Sequence, residues 1–97
     1  MEHGEYRRMF ELETTYWWFV GRRDLVRDWV AAALRRSPPP VMERKSSDVP
    51  KLLDAGCGTG ANADMLKVFG WVVGTDLSSE ALSWSRQRGL PALARCR

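Results

Sequence analysis

The chain has 97 residues, 44% of them hydrophobic and 28% charged, with a net charge of +3. That is enough for one small folded domain and excludes a disordered chain. Two cysteines and one histidine make neither a disulfide framework nor a metal site, and the arginines are too scattered to track a phosphate backbone, which argues against a nucleic-acid partner.

The N-terminus, MEHGEYRRMFELE, is too polar for a signal peptide. The apolar runs YWWFV and WVAAAL fall short of the roughly 20 residues that span a bilayer, so no membrane is implied and the cytoplasm is the expected compartment. Residues 5–20 begin polar and helix-like and become densely aromatic. Over residues 22–36, Leu25, Val26, Trp29, Val30, Ala33 and Leu34 recur on a 3.6-residue period and predict a helix. Asp24 in its first turn and Arg35 and Arg36 in its last suit the helix dipole. Ser37 to Pro40 read SPPP and stop it, because proline cannot continue the hydrogen-bond ladder.

Residues 37–48 read as a connector, and a strand is expected from about Val49 to Ala55. Ala61, Met65, Leu66 and Phe69 mark a helix ending at Gly70, and WVVGTD, residues 71–76, is a second strand. Ser78 is a suitable N-cap for a third helix running to about Arg88, with Gly89 as its stop, and LPALARCR offers the opening of a third strand. The division is therefore an N-terminal helical and aromatic segment (1–36), a linker (37–48) and a βαβα unit (49–97). Such units are right-handed, so both strands lie parallel and adjacent, as at the start of a doubly wound α/β sheet.

Between the first strand and its helix stands LLDAGCGTG, with Gly56, Gly58 and Gly60 on alternate positions. Glycine there permits positive φ and leaves the backbone open to a ligand, and the free N–H groups at the helix start suit an anion. Asp76 ends the second strand 20 residues after Gly56, where such folds place an acid that accepts bonds from ribose hydroxyls. Competing readings are a plain tight turn for the glycines and an ordinary loop carboxylate for Asp76. Cys57 reads as space-filling rather than reactive, and His3 as a surface residue.

The run is GxGxG, not the GxGxxG of dinucleotide folds. With the preceding aliphatic pair and Asp54 it resembles motif I of the class I S-adenosylmethionine-dependent methyltransferases, and VVGTDLS, with Gly74, Asp76 and Leu77, resembles their second motif. YWWFVGRR is loosely similar to the N-terminal region of bacterial small-molecule members. The resemblance implies a Rossmann-like sheet ordered 3-2-1-4-5-7-6, of which this chain holds about two strands preceded by helices. It implies S-adenosylmethionine as cofactor, bound by the loop from Ala55 to Gly60: the backbone around Gly56, Cys57 and Gly58 at its methionine end, Asp54 holding the loop and reaching its amino group, Asp76 on the ribose, Leu77 against adenine, and Arg22 with Trp17 near its carboxylate. The aromatic cluster also reads as plain core. The implied partners are a small-molecule methyl acceptor and the missing C-terminal half; no base for catalysis is evident, and the chain is expected to be a fragment, inactive alone. Two alternatives are an NAD-binding Rossmann fragment and a non-enzymatic interaction module with a vestigial loop.

Overall fold

The computed structural model describes residues 4–36 and 49–96, so the connector at 37–48, His3 and Arg97 lie outside the described residues. The elements in order are α1 (Glu5–Leu12), α2 (Trp17–Arg36), β1 (Lys51–Ala55), α3 (Ala61–Leu66), β2 (Trp71–Asp76), α4 (Ser79–Gln87) and β3 (Leu93–Arg95). Helix α2 starts five residues before the expected position, because the aromatic stretch from Trp17 is itself helical. Its predicted apolar stripe is split: Val26 and Val30 pack against the core, whereas Leu25 and Trp29 stay 49% and 68% exposed. Helix α3 is shorter than expected, ending at Leu66 with irregular turns up to Gly70. A Cβ at Gly70 would collide with the carbonyl oxygen of Pro50, so the entries to the two strands approach this closely only because residue 70 lacks a side chain.

The sheet is parallel throughout, in the order β1-β2-β3. Leu52 lies beside Val72 and Leu53 beside Val73, and Gly74 lies beside Leu93. The tail forms the short third strand that LPALARCR offered, beside the two main strands expected, its backbone completing the ladder on the free side of β2. This arrangement is the partial Rossmann-like sheet expected, with β1 open on its other side among the described residues.

Helices α3 and α4 pack on the sheet face that carries Val72. Ser78 caps α4, its Oγ accepting from the Ala81 amide at 3.2 Å. Cys57, Ala63, Leu66, Val72, Leu82 and Leu90 are buried together between these layers. On the opposite face no described helix covers Leu53 and Trp71, which are 67% and 61% exposed. Because side chains alternate along a strand, one register decides both faces.

Candidate functional site

The site begins where β1 gives way to α3. Gly56, Gly58 and Gly60 have φ values of 73°, 57° and 93°, a run of left-handed turns open to glycine and costly for branched residues. The loop is tied down atom by atom. The Cys57 amide donates to the Thr75 carbonyl at 2.8 Å, joining it to β2. The Gly58 amide donates to Asp76 Oδ2 at 2.9 Å, and the Gly58 carbonyl accepts from Ser85 Oγ at 2.7 Å. Asp76 Oδ1 accepts from the Ser78 amide at 2.9 Å. One carboxylate therefore sets the glycine loop and the start of the α4 turn together.

Above this loop opens a cleft of about 290 Å³, at the small end of the range for ligand pockets. Its floor is Asp54, Gly56, Cys57, Gly58, Ala61, Asn62 and Asp76. Its wall comes from the N-terminal helices and their corner, through Tyr6, Met9, Glu13, Phe19, Arg22 and Arg23. Arg23 braces that corner, donating to the Glu13 carbonyl at 2.7 Å.

Three carboxylates, Glu13, Asp54 and Asp76, border the cleft. Asp54 Oδ2 is buried with no hydrogen-bond partner among the described residues. Burial first, and then the charges of Asp76 and Glu13, push the Asp54 carboxyl above its usual range. The Cys57 thiol is also raised, chiefly by burial, which keeps it protonated and supports the space-filling reading. The helix start offers less to an anion than the sequence suggested, since α3 has only six residues.

Of the residues singled out from sequence, Asp54, Gly56, Cys57, Gly58, Asp76 and Arg22 meet at the cleft, while Ala55, Gly60, Leu77 and Trp17 do not line it. A Cβ on Gly60 would meet Ser85 Oγ at 2.7 Å and Leu90 Cδ1 at 2.9 Å, so this glycine serves packing. Leu77 is 59% and Trp17 70% exposed. The aromatic neighbour of Arg22 is Trp18, whose ring centre lies 6.0 Å from the guanidinium, because residues four apart share a helix face. That spacing was available in the sequence once α2 was known to start at Trp17. Tyr6, Met9 and Glu13 had no such signal: only the fold brings α1 over the loop.

A family model for a methyltransferase domain matches residues 53–95. The fold also matches DesVI of Streptomyces venezuelae over 100% of this chain and 36% of that one, with a TM-score of 0.62 and 23% identity. CalS10 of Micromonospora echinaspora, an amino pentose methyltransferase involved in calicheamicin biosynthesis and solved with S-adenosylmethionine bound, matches over 98% of this chain and 34% of its own, with a TM-score of 0.56 and 25% identity. The chain thus spans about a third of the length of these two proteins. No curated protein matches it at a significant level. Residues 53–95, which hold the glycine loop, Asp76 and most of the sheet, are thus similar to a methyltransferase domain.

Proposed function

We propose that the cleft between the glycine loop and the N-terminal helices binds S-adenosylmethionine and serves methyl transfer to a small-molecule acceptor. The observation that carries this reading is the buried Oδ2 of Asp54, partnerless among the described residues, in a cleft bordered by two more carboxylates. An uncompensated buried acceptor is costly unless a donor arrives, so Asp54 suits a cationic donor, while Arg22 on the wall suits an anionic group of the same ligand. The cofactor has an ammonium and a sulfonium. An NAD pyrophosphate, by contrast, would bring negative charge against Asp54 and Asp76.

Each residue then has a task that its position allows. Asp54 accepts from the ammonium. Asp76 retains lone pairs on both oxygens after its two main-chain bonds, and these face the ribose hydroxyls. The main chain at Gly56, Cys57 and Gly58 lets the methionine portion approach without a side chain between, and Arg22 from α2 reaches its carboxylate. Leu77, exposed beside Asp76, offers its side chain to the adenine face. Trp17 and Trp18 both lie outside the cleft lining, Trp18 lying against Arg22 from outside, and Phe19 is the aromatic residue of this stretch that lines the cleft beside Arg22. When bound, the cofactor supplies a methyl group on a sulfonium with its leaving group built in. What remains for the chain is to align donor and acceptor and to exclude water. A small acceptor is supported by the likeness to an amino pentose methyltransferase.

Calorimetric titration with S-adenosylhomocysteine and with NAD tests the reading. The first is expected to bind and the second not; binding of NAD alone would overturn it.

A further inference from the structure

Helix α1 forms a wall of the cleft, yet no residue within it is buried. Apolar packing alone therefore does not hold it in place. Its apolar contacts are thin: Phe10 lies against Trp84 with ring centroids 4.9 Å apart, and the space beside Gly58 is closed by Met9 Sδ. Besides Arg23, which holds the Glu13 carbonyl, two further polar contacts at the end of α1 converge on one side chain from the other end of the chain.

Arg88 follows the last turn of α4 and is only 10% exposed. Its Nη2 donates to the Phe10 carbonyl and to Glu13 Oε2, each at 2.7 Å. Its Nε donates to the Thr59 carbonyl, within the glycine loop, at 2.9 Å. The guanidinium carbon sits 4.1 Å from the Phe10 ring centre. Its partners thus lie on two separate pieces of the cleft: the end of α1 and the loop beneath it. A planar, multi-donor guanidinium can bridge them together, whereas an ammonium cannot reach all of these acceptors in one geometry.

We propose that Arg88 is a positioning residue for cofactor binding: it latches helix α1 to the glycine loop and so sets the width of the cleft, without touching the ligand. This rests on the cofactor reading above. Glu13 is the charged partner, and its carboxylate, 9% exposed, is positioned by Arg88 rather than left facing Asp54 alone.

The test uses the full chain and the variants Arg88→Met and Arg88→Lys. Hydrogen exchange without ligand reports on the amides of residues 8–13, with those of β1 and β2 as internal controls for the fold. Calorimetry with S-adenosylhomocysteine reports on the cleft. Arg88→Met is expected to speed exchange across α1 and to weaken S-adenosylhomocysteine roughly tenfold or more, with β1 and β2 still protected. Arg88→Lys, which keeps the charge and is the milder change, should restore only part of both effects. Unchanged α1 exchange in Arg88→Met, or loosened α1 with unchanged affinity, would overturn the latch. Full restoration by lysine would overturn the bridging role. If Arg88→Met does not fold, Arg88→Lys decides alone: loosening and weakening together support the latch, and wild-type behaviour refutes it. A wild-type chain that binds no S-adenosylhomocysteine would remove the cofactor reading, and with it the ligand role of Arg88, while exchange would still show whether Arg88 holds α1.

Discussion

The Gly58 amide and Asp76 Oδ2 are hydrogen-bonded at 2.9 Å, joining the loop after β1 to the end of β2. The same carboxylate accepts from the Ser78 amide through its other oxygen. The acid expected to grip a sugar is thus also a structural brace for the glycine loop. Asp76→Ala is predicted to lower folding stability by about 1–3 kcal/mol, since two main-chain donors lose a charged acceptor, and to weaken S-adenosylhomocysteine by a similar amount. Urea denaturation and calorimetry measure the two losses separately. A stability loss with unchanged affinity would leave Asp76 a brace only.

Asp54 makes the opposite prediction for stability. Its carboxyl is raised in the folded state, so the native protein holds this proton more tightly than the unfolded chain does. The resulting contribution is fully present below the unfolded carboxylate range and is lost as pH rises through the raised folded value. Asp54→Asn should therefore stabilise the free protein at neutral pH and flatten that part of its pH profile, while weakening cofactor binding. Denaturation at several pH values, with and without S-adenosylhomocysteine, checks both signs. A destabilised Asn variant would show that the carboxylate has a partner in the free protein.

Two glycines two residues apart should respond differently. A Cβ at Gly58 meets only Met9 Sδ, at an ordinary 3.6 Å, and asparagine tolerates a φ near 57°, so Gly58→Asn is the mild change. Its stability loss should stay near ~1 kcal/mol, with cofactor binding lost as the side chain enters the cleft. Gly60→Ala drives its Cβ into Ser85 and Leu90 at a φ of 93°, and should cost about 1–3 kcal/mol or more. Thermal melts and calorimetry on both variants test the contrast, and equal melting temperatures would refute it.

Exposed apolar residues on the sheet also have consequences. Leu53 and Trp71 are exposed on one sheet face, two positions apart in register, with an open β1 edge among the described residues, a combination that favours association between chains. The 97-residue chain is predicted to associate with rising concentration, and Leu53→Lys to reduce this without changing the fold. Light scattering and circular dichroism measure the two. Monodisperse wild-type chain at high concentration would contradict the prediction.

Local chemistry made much of this legible in advance. GxGxG after an apolar run, the acid at the end of WVVGTD and the Ser78 cap are short-range patterns, and each maps onto a turn, a strand end or a helix start because it acts within a few residues. They fix the parallel sheet and the half of the cleft that the loop supplies. The other half was not readable. Tyr6, Met9 and Glu13 sit over the loop through long-range contacts, among them Arg88, 75 residues beyond Glu13, which bridges α1 to Thr59. The third strand likewise depends on Leu93 finding Gly74, and the split of the α2 stripe on which residues the core reaches. Spacing along a chain encodes periodicity and turns. Which distant donor meets which buried acceptor is decided by packing, and here that decision builds the wall of the site.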